Sequence, residues 1–249
     1  MINEAVILAG GFGTRLKSLV KEVPKSMALV NGKPFLEFQL NYLLKFGINK
    51  IVFSVGYKNE FIQSYFGSRF KTIAISYAIE NEPLGTGGGI KNALKNIEGN
   101  EAYVLNGDTM FEVDLLEFYN FHKNKDSKMS LSLRFLEDVS RFGSVETDSE
   151  NRITGFYEKN FVKSSGYING GIYIINKCFY ENLNLGTKFS IEHDCFEKIY
   201  KTEKLFGFRC DDYFLDIGIP DDFNKAQYEF RRFENKLPQI QNAKSKRNS

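Results

Sequence analysis

Residues 5–16 read Ala5-Val6-Ile7-Leu8-Ala9-Gly10-Gly11-Phe12-Gly13-Thr14-Arg15-Leu16. The first five residues are apolar, which is typical of a strand buried on both faces of a parallel sheet. Three glycines within four positions follow, and a backbone without side chains can approach a ligand so closely that successive N–H groups converge on an anion. Because open α/β sheets bind ligands where their parallel strands end, this stretch predicts a phosphate site with Arg15 beside it.

The glycine loop does not match the two best-known nucleotide-binding loops. It lacks the Gly-Lys-Ser/Thr ending of a Walker A loop, and Leu16 stands where a dinucleotide-binding fingerprint has its third glycine. A tight turn between a strand and a helix, without any ligand, is the alternative interpretation. Lys25 favours a ligand, because it adds a second cation on a segment that returns past the same strand end.

The glycine loop together with Pro24-Lys25 resembles the signature of the sugar-phosphate nucleotidyltransferases, and the likeness spans most of residues 4–235. Members of that family join a nucleoside triphosphate to a sugar 1-phosphate and release pyrophosphate. Longer stretches, at residues 82–88, 103–109 and 211–218, resemble its D-glycero-α-D-manno-heptose 1-phosphate guanylyltransferase branch. The resemblance implies an α/β, Rossmann-like nucleotide-diphospho-sugar transferase fold, with a mixed, mostly parallel central sheet flanked by helices.

Composition argues against several other classes of protein. The 249 residues include 33 Lys and Arg against 31 Asp and Glu, a near balance that disfavours a nucleic-acid binder. The apolar runs are too short to span a bilayer and no signal peptide is evident, so we expect a cytoplasmic protein without a membrane partner. We interpret the three widely spaced cysteines as buried or spare thiols. We expect His122 and His193 at the solvated surface, which leaves no histidine-based catalyst or zinc site.

The apolar pattern alternates between strand and helix periods along the chain. It predicts one domain over residues 1–235, with a nucleotide-binding half of about 1–112 and a sugar-binding half of about 113–235, followed by a polar, disordered tail over 236–249. The predicted strands lie at 51–55, 73–79, 103–108, 129–136 and 172–175, with a hairpin at 144–156. The predicted helices begin at Pro34 and end before Gly47, and lie at 59–66, 90–97, 114–123, 191–200 and 220–235.

A second glycine-rich segment, residues 80–89, is predicted to be a loop before the helix at 90–97. The resemblance implies that this segment holds the nucleobase, with Glu80 and Gly85 at the matching positions. A carboxylate accepts two hydrogen bonds, so Glu80 suits the adjacent N1–H and 2-amino donors of guanine, whereas an amide would better suit thymine or uracil. Glu80 therefore favours GTP as the donor; a solvated residue at a strand end is the alternative.

Two aspartates are candidates for a metal site. Asp108 ends the strand at 103–108 and would lie at the same sheet edge as the glycine loop, where Mg²⁺ on phosphates is usually held by one or two carboxylates plus water. The resemblance implies that Asp108 and Asp216 bind Mg²⁺. An aspartate shortly before a glycine is often only a turn residue, which is the alternative for Asp216.

The resemblance also implies roles for the remaining motif positions. Arg15, Lys25 and Asp108 would be catalytic. Gly143, Glu158, Asn169 and Gly170 would face the sugar hydroxyls, and Lys159 would meet the phosphate of the sugar 1-phosphate. The predicted nucleotide-binding residues are Leu8, Ala9, Gly10, Gly11, Gly13, Thr14, Arg15, Glu80, Pro83, Gly85, Thr86, Gly107 and Asp108.

We therefore predict an enzyme that transfers a guanylyl group from GTP to a sugar 1-phosphate. The heptose acceptor, and a product destined for bacterial surface polysaccharides, follow from the resemblance. The alternatives are a mannose 1-phosphate guanylyltransferase, a transferase with dTTP, UTP or CTP as donor, and a sugar-nucleotide-binding regulatory module without activity. A dinucleotide-dependent oxidoreductase is disfavoured because no acidic residue ends the second strand. Aromatic-rich helices are compatible with a homodimer.

Overall fold

The computed structural model describes residues 1–11, 23–157 and 165–234, without the side chain of Glu234. In these ranges the strands are β1 (Glu4–Leu8), β2 (Leu29–Val30), β3 (Lys33–Pro34), β4 (Lys50–Val55), β5 (Arg69–Phe70), β6 (Ile73–Ile79), β7 (Glu101–Asn106), β8 (Thr109–Phe111), β9 (Met129–Leu136), β10 (Ser144–Thr147), β11 (Ile153–Tyr157), β12 (Gly166–Asn176), β13 (Leu205–Arg209) and β14 (Phe214–Asp216). The helices are α1 (Phe35–Lys45), α2 (Asn59–Phe66), α3 (Gly85–Leu94), α4 (Leu115–Asn124), α5 (Lys177–Glu181), α6 (Glu197–Ile199), α7 (Pro220–Glu229) and α8 (Arg231–Glu234), with a 3₁₀ turn at Lys25–Met27 and a π-helical segment at Ile191–Phe196.

A ten-stranded mixed sheet forms the centre of the molecule, in the order β11-β10-β12-β7-β1-β4-β6-β5, with β9 paired to β12 and β13 paired to β9. Strand β1 is parallel to β4 on one side and to β7 on the other, and β12 is antiparallel to β7. This arrangement confirms the predicted α/β class. The chain runs from β1 outward to β6 and then crosses back to β7, so the direction of strand addition reverses at β1. Ligands of open α/β sheets bind at such a reversal, outside the carboxyl ends of the strands.

Both faces of the sheet are covered, which explains the unbroken apolar run of β1. Ala5 and Ile7 belong to a core that also contains Phe35 of α1, and that core extends to Phe230 at the end of α7. Val6 points to the other face, into a second core with residues of α3. All of these side chains are buried.

Several predicted elements are confirmed, because their signals are local. β6, β9 and α2 have the predicted bounds, and the predicted hairpin is the antiparallel pair of β10 and β11. The helix predicted at 220–235 corresponds to α7 and α8, and its residues Phe230 and Phe233 are buried in the core. In the described ranges no helix combines the length and the apolar character needed to cross a membrane.

The prediction that His122 lies at the surface is wrong. Its side chain is fully buried on the face of α4 that packs against β9, with Nδ1 2.8 Å from the Ser130 hydroxyl of β9 and Nε2 3.5 Å from a carboxylate oxygen of Glu101. Burial lowers the pKa of His122, although the Glu101 carboxylate acts in the opposite direction. His193 is exposed, as predicted.

The cysteines follow the prediction of buried or spare thiols. Cys178 is exposed, whereas Cys195 and Cys210 are buried, and none of the three forms a disulfide. Burial raises the pKa of the Cys195 and Cys210 thiols to about 12, so neither is a thiolate nucleophile at neutral pH.

Candidate active site

A cavity of about 390 Å³ opens at the carboxyl ends of β1, β4, β6 and β7. This is the edge of the sheet at which the sequence predicts a phosphate site. The described residues that line the cavity are Leu8, Ala9, Gly10, Gly11, Lys25, Ser26, Ser54, Glu80, Pro83, Gly85, Thr86, Asn106, Gly107, Asp108 and Gly218. Gly13, Thr14 and Arg15 lie outside the described residues.

Two glycines allow the strand ends to approach each other behind the cavity. A Cβ atom on Gly10 would lie 3.0 Å from the backbone nitrogen of Gly56, just after β4. A Cβ atom on Gly107 would collide with the carbonyl oxygen of Leu8, to which the Gly107 N–H donates a hydrogen bond of 2.9 Å. Glycine at position 10 therefore lets the first loop approach the end of β4, and glycine at position 107 lets the Asp108 turn approach the end of β1.

The pairing of β8 with β14 brings the two candidate metal ligands to one place. In this antiparallel pair Asp216 lies opposite Thr109, and the Ile217 N–H donates to the carbonyl oxygen of Asp108 at 3.0 Å. Short strands thus join two segments that are far apart in the sequence. Their acidic side chains face a common cation.

That cation is Lys25, which lies in the 3₁₀ turn after Pro24. Its Nζ atom is 2.6 Å from Oδ2 of Asp108 and 3.5 Å from Oδ1 of Asp216, and only 12% of its side chain is exposed. Burial, together with the charge of Asp108, raises the pKa of Asp216, whereas Lys25 acts in the opposite direction. The three side chains therefore form a partly buried cluster with one positive and two negative groups.

At the other end of the cavity, Glu80 follows β6 and presents a carboxylate whose position is fixed. Oε1 accepts a hydrogen bond from the Ser54 hydroxyl at 3.0 Å, and Oε2 accepts one from the Leu84 N–H at 3.0 Å. The Glu80 N–H itself donates to the carbonyl of Val55 at 2.8 Å, which continues the sheet pairing to this residue. The acid is thus held at the strand end and is not a freely solvated side chain.

The second glycine-rich segment is not the loop that the sequence predicted. Helix α3 begins at Gly85, so most of these glycines form its first turns. The N–H groups of Gly87 and Gly88 both donate to the carbonyl of Phe189, and a Cβ atom on Gly88 would collide with the carbonyl oxygen of Thr187. The glycines therefore allow α3 to pack against the segment before the π-helix, and these N–H groups are not free to hold an anion.

Comparison with known proteins shows the family to which this cavity belongs. The sequence matches the nucleotidyl transferase family over residues 4–232. This chain belongs to the nucleotidyl transferase family. The D-glycero-alpha-D-manno-heptose 1-phosphate guanylyltransferase of Aneurinibacillus thermoaerophilus is 46% identical over 230 residues, which are 92% of this chain and 99% of that protein. The protein of the same name from Campylobacter jejuni is 48% identical over 220 residues, or 88% of this chain and 96% of that one.

A solved structure shows the same relationship. The crystal structure of HddC from Yersinia pseudotuberculosis complexed with GMP-PN has a TM-score of 0.82 and 39% sequence identity, and covers 92% of this chain and all of that chain. These similarities confirm the predicted fold, the resemblance and the assignment of the chain as a nucleotidyltransferase. They also argue against the dinucleotide-dependent oxidoreductase.

Of the predicted sugar-binding residues, Gly143, Asn169 and Gly170 are described, and none of these three lines the cavity of the nucleotidyltransferase. The Asn169 amide donates to the Tyr173 hydroxyl at 2.9 Å, and its oxygen accepts from the Gly171 N–H at 3.0 Å. Gly170 packs on Phe111 of β8, where a Cβ atom would collide with the ring. Gly143 lies in a left-handed turn with φ of 74°. Glu158 and Lys159 lie outside the described residues.

Four cavity residues of the nucleotidyltransferase were not predicted from the sequence: Ser26, Ser54, Asn106 and Gly218. Asn106 could have been found, because it precedes the Gly107-Asp108 pair that was singled out. Gly218 could have been found because it lies two residues after Asp216, and in the structure a Cβ atom there would lie 2.9 Å from Oδ1 of that aspartate. No sequence signal distinguishes Ser54 from any other serine in a buried strand.

The residues present fit a divalent cation. Mg²⁺ on phosphates is usually held by one or two carboxylates, with water and phosphate oxygens completing the shell, and Asp108 and Asp216 supply two carboxylates side by side. Lys25 between them shows that this position attracts positive charge. Across residues 1–11, 23–157 and 165–234 no group of three or more His, Cys, Asp or Glu side chains is placed to bind a metal. The remaining ligands would therefore come from the substrate and from water.

Proposed function

We propose that this nucleotidyltransferase transfers a guanylyl group from GTP to D-glycero-α-D-manno-heptose 1-phosphate, giving GDP-heptose and pyrophosphate. The observation that carries the proposal is one cavity with acidic groups at both ends. Glu80 lies at the end where the nucleobase would bind, and the Lys25–Asp108–Asp216 cluster lies at the end where the phosphates would bind, which we call the phosphate end. The two guanylyltransferases that this chain matches over nearly their whole lengths support the choice of guanine and of heptose.

The chemistry requires positioning and charge neutralisation more than a general base. A sugar 1-phosphate is already an anion at neutral pH, so one of its oxygens can attack the α-phosphorus directly. The new bond forms at phosphorus, and the bond from that phosphorus to the bridging oxygen breaks, so pyrophosphate leaves with the electron pair. The main barrier is repulsion between two anionic phosphates, which a preorganised set of cations and N–H groups reduces.

The residues at the phosphate end divide this task. We infer that Lys25 moves its charge from the two aspartates to the reacting α-phosphate, and that the backbone of Gly11, with Gly13 and Arg15, holds the triphosphate. Nucleotidyltransferases generally use a divalent metal ion. We propose Mg²⁺ on Asp108 and Asp216, where it supplies Lewis-acid polarisation of the phosphate when bound.

The residues of the second half orient the acceptor in this proposal. Gly143, Glu158, Asn169 and Gly170 would face the sugar, and Lys159 would contact its phosphate. Gly170 packs on β8, and the residue before Gly143, Phe142, contacts Phe214 of β14. Both therefore lie next to the strand pair that carries Asp216, which is the side from which an acceptor would reach the phosphate end.

We infer a cytoplasmic reaction, because the donor, GTP, is made and used there, and a product that serves bacterial surface polysaccharides. The nucleotide would occupy the half at residues 1–112, and the acceptor the half at 113–235.

Pyrophosphate release tests the proposal. The purified protein is incubated with Mg²⁺, GTP and heptose 1-phosphate, beside mannose 1-phosphate as acceptor and beside dTTP, UTP, CTP and ATP as donors. We expect turnover with GTP and the heptose, and none from a folded Asp108→Asn control. Preference for mannose 1-phosphate would make that sugar the acceptor in place of the heptose. Preference for another nucleotide would overturn the guanine assignment, and no release from any pair would overturn the proposal.

A further inference from the structure

The hydrogen bonds of Glu80 leave a defined set of free acceptor positions. An ionised carboxylate can accept about four hydrogen bonds, two on each oxygen. One position on Oε1 is taken by the Ser54 hydroxyl and one on Oε2 by the Leu84 N–H. One position therefore remains on each oxygen. Guanine presents two adjacent donors, N1–H and the 2-amino group, and this pair matches one free position on each of two oxygens.

Ser54 fixes the rotation of the carboxylate. It lies in β4 and is only 1% exposed, yet it lines the same cavity as Glu80. The backbone N–H of Leu84 holds one oxygen of the acid, and the Ser54 hydroxyl holds the other. Without the hydroxyl, the acid would keep a single anchor and could turn about it.

Gly89 provides the space that this pair occupies. A Cβ atom on Gly89 would lie 2.7 Å from Oε1 of Glu80 and 2.8 Å from the Ser54 hydroxyl oxygen. Both atoms are the ends of side chains, so a methyl group there would displace the pair and leave the backbone in place. Gly89 lies within α3, where alanine is intrinsically preferred over glycine by about 1 kcal/mol. Helix propensity therefore does not account for glycine here, whereas the hydrogen-bonded pair does.

We propose that Ser54 and Gly89 are specificity-determining residues, which position the Glu80 carboxylate so that it reads the 2-amino group of guanine as well as N1–H. In this proposal neither residue takes part in the transfer of the guanylyl group or contacts the reacting phosphates. The inference rests on the proposed function, because it assumes a guanine nucleotide in this cavity. It predicts discrimination between GTP and ITP, whose base keeps N1–H and lacks the 2-amino group.

The test compares kcat/KM for GTP, ITP and ATP in the wild-type protein and in Ser54→Ala, Gly89→Ala and Ser76→Ala. Ser76 is the matched control, because it lies in the neighbouring strand β6 and its hydroxyl has no hydrogen-bond partner in the described structure. The wild-type protein and Ser76→Ala should prefer GTP to ITP by about tenfold or more, the effect of one hydrogen bond to a charged group. In Ser54→Ala and Gly89→Ala we expect this ratio to fall toward one, through a higher KM for GTP with kcat changed less than about twofold.

The outcomes separate the inference from the proposed function. A wild-type protein that does not prefer GTP to ATP overturns the function. A wild-type preference for GTP over ITP that survives unchanged in both variants overturns the roles of Ser54 and Gly89 and leaves the function standing. If Ser54→Ala does not fold, Gly89→Ala decides the question, since its methyl group meets only side-chain ends.

Discussion

At the scale of single residues, Lys25 neutralises two carboxylates that the fold forces together. Its amino group lies 2.6 Å from Asp108 and 3.5 Å from Asp216, and the pKa of Asp216 is raised by burial and by the charge of Asp108. Removal of this cation leaves two like charges facing each other at short range.

We expect Lys25→Met to lower turnover on the order of 10²–10³-fold, the usual cost of one transition-state contact. The variant should also melt at a lower temperature than the wild type. Mg²⁺ should raise the melting temperature of the variant more than that of the wild type, because it replaces the missing positive charge. Pyrophosphate release and thermal denaturation with and without Mg²⁺ measure both effects. Lys33→Met is the control, since Lys33 lies 3.9 Å from Glu37 in a partly exposed pair and does not line the cavity. Near-normal turnover of Lys25→Met would contradict the assigned role.

Because His122 is buried, we expect the free energy of unfolding to depend on pH. Burial lowers its pKa in the folded protein, whereas the unfolded chain has an ordinary value of about 6.5. The unfolded state therefore binds the proton more tightly, and acidification from above pH 6.5 toward the folded pKa lowers the free energy of unfolding.

Urea denaturation at pH 7.5 and 5.5 checks this expectation. The wild type should lose stability on acidification, and His122→Gln should lose less. His193→Gln, which changes the exposed histidine, should behave as the wild type. If His122→Gln and the wild type show the same pH dependence, the neutral buried state of His122 is wrong.

At the scale of elements, the glycines at the start of α3 allow two backbone segments to touch. A Cβ atom on Gly88 would collide with the carbonyl oxygen of Thr187, a backbone atom, whereas one on Gly89 meets only the ends of two side chains. The same substitution at neighbouring positions of one helix should therefore have different effects.

We expect Gly88→Ala to destabilise the protein by about 1–3 kcal/mol, the usual cost of overpacking, in spite of its higher helix propensity. Gly89→Ala should stay close to the wild type in stability and lose base selectivity. Thermal denaturation of the two variants under the same conditions measures the difference. Equal stability of the two variants would show that α3 can shift away from Thr187 at no cost.

At the scale of the whole molecule, the last helices anchor a strand that belongs to the candidate active site. Phe230, between α7 and α8, is fully buried, and its ring centroid lies 5.5 Å from that of Phe35 and 4.9 Å from that of Phe38, both in α1. Because α7 follows β14 within a few residues, this packing holds Asp216 in place.

We expect Phe230→Ala to cost about 3–5 kcal/mol, as is usual for a large aromatic residue removed from a core. Urea denaturation measures the loss of free energy of unfolding. The variant should also lose its activity at a lower temperature than the wild type. Tyr228→Ala changes an exposed aromatic residue of α7 and should leave both quantities unchanged. A Phe230→Ala variant as stable as the wild type would mean that α7 is not an anchor.

Local patterns of the sequence, with the family resemblance that they carry, were enough to predict much of the fold and all but four of the described residues that line the cavity. The apolar run of β1, the alternation of strand and helix periods, and the two glycine-rich segments need only neighbouring residues for their interpretation. They predicted the α/β class and the strand ends at which the cavity lies. Asp108 was singled out because it ends a predicted strand, and Glu80 because it begins the second glycine-rich segment. Lys25 was singled out because Pro24-Lys25 completes the signature that the first glycine loop begins.

Tertiary structure decided what depends on residues distant in the chain. The burial of His122 depends on the packing of α4 against β9, and the helical start of α3 depends on contacts with residues 187–191. The role of Ser54 depends on Glu80, which follows the neighbouring strand β6. The Asp108–Asp216 pair likewise exists only because β8 and β14 pair with each other. The physical reason is that propensity and hydrophobic period act over a few residues, whereas packing and hydrogen bonding join segments that only the folded chain brings together.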